Sequence, residues 1–493
     1  MLLSLVVFLP LLVGIGMLAT PRLPDRATRW LWVAASVVDL ALVVALWVGY
    51  RGRGIGYETN LRWIPSVGVG FHIGVDGLSL PLLAMTAVLF LACAVYSLRQ
   101  RTRVRGFTAL FLFLQTVSLG LFVSLDLILF FVFFDLSIVG MYFVIAGWGH
   151  GDRQRSALKF FLYTFLGSLA LLLGFIGLYL SATPHTFDMV ALTRAHPLTG
   201  LGGALALLAI GLGLAIKTPT VPFHTWLPPA HTDAPAAGSA ILAGVLLKMG
   251  TYGFVRIAMP MLPDTWRRYA LVAVVVGVVS VVYGALVALA QRDFKRMIAY
   301  TSVNHMGYIL LAIGAAGLLD SGAAARSLAV TGAVTQMVSH GLITGALFLL
   351  SGVLYERGGT YAMDAYGGLA GRTPRFALLT AAAAFASLGL PGFSGFIAEF
   401  QVFAGSLGPV PVATVIAVLG ILLTAALFLA ALRRIFLGSH RAPHGATVTD
   451  LTAAEAVAIA PLMALALLIG VLPRFLLDLI EPAARTAVHL VAR

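Results

Sequence analysis

Long apolar runs dominate this chain and restrict what it can fold into. Hydrophobic residues fill 60% of its 493 positions and charged residues only 10%, whereas soluble domains are usually about 25% charged. A helix needs about 20 apolar residues to cross a hydrocarbon core about 30 Å thick. Roughly fourteen runs of this kind fit between residues 2 and 473. The sequence therefore predicts an all-α polytopic membrane protein.

Two of the runs are interrupted by residues that break helices. The seventh run, 203–230, contains KTPTVPFH, and the twelfth, 376–403, contains GLPGFSGF. Proline removes a backbone donor and glycine loosens a helix, so both runs are predicted to break inside the membrane, where freed carbonyls line a polar cavity. The residues responsible are Pro219, Pro222, Pro391, Gly392 and Gly395.

Each interrupted run also carries one isolated charge, Lys217 or Glu399. Matching interruptions in two halves of a transporter indicate an internal repeat with its functional site at the breaks. Proline and glycine also occur in ordinary membrane helices, but their coincidence with these two charges favours function. The membrane core is therefore predicted to be duplicated.

Arginine and lysine concentrate in alternate loops between the runs. The clusters at 99–105, 153–159 and 292–296 fall on one side when the runs are threaded back and forth. Because loops rich in Lys and Arg face the cytoplasm, the net charge of +13 indicates membrane topology rather than nucleic-acid binding. With an even number of crossings, both termini are predicted on the outer side.

Six ionisable side chains stand alone inside the apolar stretches. A charge at the centre of a membrane helix costs about 2.5–3.5 kcal/mol on insertion scales, so such residues mark ion or proton pathways. Glu399, for example, is the only charge between Arg375 and Arg433. A set with both signs and two histidines predicts a proton relay. Its members are Asp135, Lys217, Lys248, His305, His340 and Glu399.

Purely structural roles are the alternative for most of these side chains. A carboxylate at Asp135 stays ionised only beside a cation, so we expect an ion pair with Lys217. The structural alternative is that this pair only tethers one helix to another. Lys248 could extend its stem towards an interface. Each histidine could simply hydrogen-bond a neighbouring helix. The position of Lys248 near the centre of its run favours the relay.

Redox and metal chemistry are not expected within this chain. Cys93 is the only cysteine, and an iron–sulfur cluster takes about four such ligands. His224 and His231 lie seven residues apart without a third ligand nearby, so we expect them to shape the broken helix rather than bind a metal. The sequence contains no P-loop, which argues against direct use of ATP.

Several motifs give the chain a family resemblance. The segment AIKTPTVPFHTWLPPAHTDAPAAGS at 215–239 closely resembles the signature of the antiporter-like proton-channel subunits of respiratory complex I and of multisubunit cation/proton antiporters. The resemblance continues through DFKRMIAYTSVNHMGY at 293–308, QMVSHGL at 336–342 and GLPGFSGFIAEF at 389–400. It covers nearly all of helices four to thirteen.

The resemblance implies a fold of about 14 helices, with two inverted five-helix repeats and broken helices seven and twelve. It divides the chain into N-terminal helices one to three (1–106), a first repeat (107–258), a second repeat (259–436), and helix fourteen with the tail (437–493). It assigns the six isolated residues to the proton relay. Asp135 departs from the family, whose helix-five carboxylate is usually glutamate, and Glu399 matches the subunit type with glutamate rather than lysine in helix twelve.

The activity that this resemblance implies is proton translocation coupled to quinone reduction by NADH, in a bacterial plasma (inner) membrane. The chain would be one subunit of that translocase. Its expected partners are other membrane subunits, especially neighbouring antiporter-like ones, and the lipid bilayer. FMN, iron–sulfur clusters and quinone are expected in partner subunits and no cofactor in this chain. The alternatives are a sodium/proton antiporter subunit without redox coupling and a membrane scaffold that conducts nothing.

Overall fold

Helices make up most of the chain in the computed structural model, which describes residues 1–52, 54–320 and 322–492. The first nine are α1 (Leu2–Ala19), α2 (Asp25–Gly49), α3 (Ser79–Tyr96), α4 (Val104–Val123), α5 (Leu127–Trp148), α6 (Arg153–Ser181), α7 (Met189–Ala195), α8 (Gly200–Lys217) and α9 (Leu227–Asp233). The others are α10 (Ala236–Met261), α11 (Pro263–Leu289), α12 (Phe294–Gly317), α13 (Ala323–Gly358), α14 (Pro374–Ser387), α15 (Ser394–Leu407), α16 (Pro411–Phe436), α17 (Ala453–Val471) and α18 (Arg474–Ala492).

Twelve of the described helices are long and apolar enough to cross a membrane. This confirms a helical polytopic membrane protein. The tenth of the predicted runs, 296–318, coincides with α12, and the twelfth is divided between α14 and α15, each of 14 residues. The full count of fourteen crossings and the inverted repeat stay predictions. The twelve are α1 to α6, α8, α10, α11, α13, α16 and α17.

Both predicted helix breaks are present. α8 ends at Lys217 and α9 begins at Leu227, so the KTPTVPFH sequence falls almost entirely in the gap. The indole of Trp226 donates a hydrogen bond to the carbonyl of Ile216 at 3.0 Å, which ties the two half-helices together. α14 and α15 are separated in the same way by residues 388–393. Each break therefore leaves helix ends inside the bundle.

The centre of the bundle is formed by α10, α12 and α13, whose side chains are almost all buried. α11 and α16 lie at the periphery and present valine and leucine outwards. Small residues permit close packing at the centre: a Cβ added to Gly277 of α11 would lie 2.7 Å from the backbone nitrogen of Leu311 in α12. The polar side chains on the central helices are thus shielded from lipid.

The C-terminal tail forms the amphipathic helix α18. Its buried residues recur at helical spacing, including Leu476, Ile480 and Ala484, while Arg485 on the other face is exposed. Arg267 of α11 donates to the carbonyl of Val491 at 2.9 Å and anchors the end of the helix. α18 therefore lies against the bundle with one face outward.

A two-stranded antiparallel sheet, which was not predicted from the sequence, joins α2 to α3. Strand β1 (Gly56–Ile64) pairs with β2 (Val69–Val75). The signal is present in the sequence, because apolar residues alternate along VGFHIGV and the turn PSVG precedes it. The hairpin is too short and too polar to be detected by a search for membrane runs.

His72 of β2 holds the hairpin against the bundle. Its Nε2 lies 2.7 Å from a carboxylate oxygen of Glu58 on β1, and its Nδ1 lies 2.5 Å from a carboxylate oxygen of Asp188, the N-cap of α7. Burial lowers the pKa of His72, but the hydrogen bonds and charges of Asp188 and Glu58 outweigh burial and raise it above the usual value. The same contact holds the pKa of Asp188 below its usual value despite burial.

These two shifts predict a pH window for the stability of the hairpin. The stabilisation from His72 is complete below its unfolded pKa of 6.5 and is lost as the pH rises through the higher folded pKa. The contribution of Asp188 is present above 3.8 and is lost as the pH falls through its lower folded pKa. We expect the opening free energy of the hairpin, measured by amide hydrogen exchange, to be greatest between about pH 4 and pH 6.5.

The control for this prediction is His72→Gln, which keeps hydrogen-bonding capacity but cannot titrate. The variant is expected to lose the decline on the alkaline side. The same decline in both proteins would show that another group is responsible.

Candidate functional site

Lys248 lies at the centre of the buried polar side chains. It is fully buried in α10, and its Nζ donates to the carbonyl of Ala243 at 2.6 Å and lies 2.5 Å from Nδ1 of His340. Ala243 belongs to a π-helical segment, Leu242–Leu246, and widened turns of this kind are frequent at functional sites. While Lys248 carries its proton, the ammonium has donors only, so Nδ1 of His340 accepts this hydrogen bond; a neutral amine would instead accept one from a protonated Nδ1.

His340 continues this contact across α13 to α12. Its ring lies 5.3 Å from the ring of His305, centroid to centroid. Gln336 donates from Nε2 to Nδ1 of His305 at 3.1 Å, and Nε2 of His305 lies 3.1 Å from the hydroxyl of Ser387. Ser387 is the last residue of α14, so the end of a broken helix contacts the second histidine directly.

Glu399 of α15 completes the series. Its Oε1 lies 3.8 Å from Nδ1 of His305, and the carboxylate is buried. A cavity of about 10 Å³ is lined by Glu399, His305 and His340, and a space of this size holds roughly one water molecule. We refer to the four side chains as the polar row: Lys248, His340, His305 and Glu399.

The predicted ion pair between Asp135 and Lys217 is wrong for this conformation. The Nζ of Lys217 donates instead to the hydroxyl of Ser137 at 2.9 Å and lies 4.7 Å from the ring centroid of Phe134. None of the ion pairs in the described chain includes Asp135. The side chain of aspartate is one methylene shorter than that of the usual glutamate. The Lys217 ammonium contacts the Ser137 hydroxyl and the face of the Phe134 ring instead of the carboxylate.

Lys217 lies beside the polar row without a direct hydrogen bond to it among the described contacts. The next residue, Thr218, meets α10 at Gly250, where an added Cβ would overlap the threonine hydroxyl and lie 2.7 Å from the carbonyl of Leu214. Gly250 is two residues from Lys248 in α10. The two helices thus cross near both lysines in sequence.

A partly buried ion pair fixes the C-terminal part of α10. Arg256 lies in a second π-helical segment, Phe254–Ala258, and its Nη2 is 2.6 Å from Oδ1 of Asp76. Its Nε donates to the hydroxyl of Tyr252 at 2.9 Å, and that hydroxyl donates to the carbonyl of Phe122 at 3.0 Å. These bonds attach α10 to α4 and to the segment that precedes α3.

The two histidines of the signature segment at 215–239 take part in aromatic packing. The ring of His231 stacks on Phe348 at 4.5 Å, and the ring of His224 meets Tyr283 edge-on at 4.9 Å. In the part of the chain that the structure describes, no group of three or more His, Cys, Asp or Glu side chains could hold a metal ion.

Sequence reasoning missed several uncharged members of the site. Ser137, Gln336 and Ser387 each hydrogen-bond one of the predicted residues. Gln336 was detectable, because it precedes His340 by four residues and so shares its helix face. Asp39 was also missed, although it is the only charge between Arg29 and Arg51 and meets the same criterion as the other isolated charges.

Comparison with known proteins shows the family to which the chain belongs. The family described as NADH:quinone oxidoreductase/Mrp antiporter, TM matches residues 124–427, which include all six predicted relay residues. The chain belongs to this family.

Individual relatives match the chain over nearly its whole length. It is 38% identical to NADH-quinone oxidoreductase subunit M of Rhodobacter capsulatus over 99% of this chain and 96% of that protein. It is similar to a chain of respiratory complex I from Thermus thermophilus, with a TM-score of 0.90 and 30% identity over 100% of both chains. A chain of the Mrp complex from Dietzia sp. DQ12-45-1b, at 23% identity over 100% of both chains and a TM-score of 0.85, shares the fold.

The backbone around Glu399 yields a structural prediction. Gly389 has φ +78°, and an added Cβ would overlap Oε2 of Glu399, whereas Gly392 has φ +102° with no atom within 4 Å of an added Cβ. Both Gly389→Ala and Gly392→Ala are expected to be less stable by about 1–3 kcal/mol because of the positive φ. Only Gly389→Ala should also displace the Glu399 carboxylate from His305.

The measurements are unfolding midpoints in detergent and the Glu399–His305 separation in experimental structures of both variants. An unchanged separation in Gly389→Ala, or an equal displacement in Gly392→Ala, would contradict the predicted contact.

Proposed function

We propose that this chain is the proton-translocating membrane subunit of an NADH:quinone oxidoreductase. The observation that carries the proposal is the polar row, in which four titratable side chains follow one another through the buried centre of the bundle. A row of this composition is typical of a proton pathway, because Lys, His and Glu side chains inside the membrane mark such relays. The resemblance to subunit M over nearly the full length of both chains supports the redox-linked form.

The row supplies proton transfer in short steps. A proton on Nζ of Lys248 passes to Nδ1 of His340, 2.5 Å away. The imidazolium then releases a proton from Nε2, which has no hydrogen-bond partner among the described residues. His305 takes up that proton and delivers it to the Glu399 carboxylate across the small cavity that the three side chains line. Each step leaves the number of protons unchanged.

Lys217 and Asp135 are assigned to control of the first step. At rest the Lys217 ammonium is held by Ser137, and Oδ1 of Asp135 has no hydrogen-bond partner among the described residues. If Lys217 moved from Ser137 to pair with Asp135, the carboxylate would offset its positive charge and weaken the repulsion that Lys248 experiences. Lys248 would then hold its proton more tightly, and the reverse shift would release it.

Partner subunits are assigned the electron transfer. In this proposal they bind NADH, FMN, iron–sulfur clusters and quinone, and neighbouring antiporter-like subunits contact this chain in a bacterial inner membrane. Both chain termini are assigned to the outer side. The sodium/proton antiporter alternative has less support, because the Mrp likeness is 23% identical and concerns the fold alone.

Glu399→Gln tests the proposed function directly. The amide keeps the shape and most of the hydrogen-bonding capacity but cannot bind and release a proton. The assembled enzyme in vesicles is expected to lose most NADH-driven proton translocation. Proton uptake and quinone reduction are measured together, with assembly checked by native gel.

The matched control is Glu481→Gln, the same substitution on the exposed face of α18. It should leave proton translocation unchanged. Full translocation by Glu399→Gln would remove the carboxylate from the relay and leave it as a tether between helices.

A further inference from the structure

Asp39 is a buried carboxyl group that the polar row does not use. It lies on α2, fourteen residues from the helix start at Asp25, which places it roughly 21 Å along the axis. Its side chain is fully buried, and Oδ2 accepts a hydrogen bond from Nε2 of Gln115 in α4 at 2.6 Å. The hydroxyl of Ser36 donates to Oε1 of Gln115 at 3.2 Å and so orients the amide.

The surroundings of Asp39 satisfy neither of its two charge states. If it is ionised, no cation balances it, since none of the ion pairs in the described chain includes Asp39. If it is neutral with its proton on Oδ1, that hydroxyl lacks an acceptor, because Oδ1 has no partner among the described residues. Unsatisfied groups of this kind are costly in a membrane.

A polar stripe leads from one end of the bundle to this carboxyl group. α2 and α4 start at the same end, where Arg29 donates to the carbonyl of Gln100 and Arg105 to that of Pro21, each at 2.6 Å. This is the end predicted to face the cytoplasm. Further in, the Trp32 indole nitrogen and the Thr108 hydroxyl are buried without hydrogen-bond partners among the described residues.

The spacing places this stripe at the interface of the two helices. Trp32, Ser36 and Asp39 follow one another at helical spacing on α2, and Thr108 and Gln115 lie two turns apart on α4. The Trp32 ring lies 5.0 Å from the ring of Phe111 in α4, which confirms that this face of α2 is turned towards α4. The stripe thus places buried polar groups between the charged helix ends and Asp39, and the inner part of it, Ser36, Gln115 and Asp39, is hydrogen-bonded.

We infer that Asp39 is a further proton-binding site of this protein, reached between α2 and α4 from the end predicted to face the cytoplasm. It lies outside the polar row and outside residues 124–427, which match the family. The inference rests on the proposed function in that the proton is bound and released during turnover. Asp39 takes up the proton on its carboxylate and returns it by the same stripe or to a group deeper in the bundle.

The test is Asp39→Asn in the assembled enzyme, reconstituted in vesicles. Infrared difference spectra between the resting and the NADH-reduced enzyme report carboxyl groups that gain or lose a proton. We expect the wild type to show a carboxylic acid band that is lost in Asp39→Asn, together with fewer protons translocated per NADH. Asp25→Asn is the control, because it makes the same change on the same helix at an exposed position.

Ser36→Ala keeps the test decisive if Asp39→Asn does not assemble. It retains the carboxyl group but removes the hydroxyl that orients Gln115, so the band should shift rather than disappear. An unchanged spectrum in either assembled variant, with full proton translocation, would overturn the inference and make Asp39 a static tether. Failure of the wild type to translocate protons would instead refute the proposed function.

Discussion

The contact between Lys248 and His340 is the interaction on which the rest of the site depends. A fully buried ammonium is costly unless strong acceptors surround it, and here a backbone carbonyl and an imidazole nitrogen serve as those acceptors. The imidazole can act in this way only while its Nδ1 carries no proton. The protonation of the lysine and that of the histidine are therefore coupled through one hydrogen bond.

Irregular backbone makes these polar contacts possible inside an apolar bundle. The Ala243 carbonyl that accepts from Lys248 lies in the π-helical segment of α10, and the break between α14 and α15 brings Ser387 to His305. In lipid such backbone is tolerated only where protein or a cavity surrounds it. Its position in the densely packed centre explains why the breaks and the isolated charges occur together.

The membrane helices, the two helix breaks and the burial of the isolated charges could be predicted from the sequence. Each of these features depends on nearby residues, through the length of an apolar run, a proline or a single charge. The partner of Lys217 could not be predicted in this way, since a 2.9 Å hydrogen bond to Ser137 depends on how α5 and α8 rotate against each other. The hairpin was missed because its strands, of 9 and 7 residues, form no long apolar run. Asp39 was missed although the criterion of an isolated charge applies to it without change.

The coupling of Lys248 to His340 is tested most directly by His340→Gln, which retains hydrogen-bonding capacity but cannot carry a proton. The quantity to measure is the number of protons translocated per NADH oxidised in reconstituted vesicles, with His440→Gln in an exposed loop as the control. We expect a clearly lower ratio for His340→Gln and the wild-type ratio for His440→Gln. An unchanged ratio in assembled His340→Gln would contradict proton transfer along the polar row.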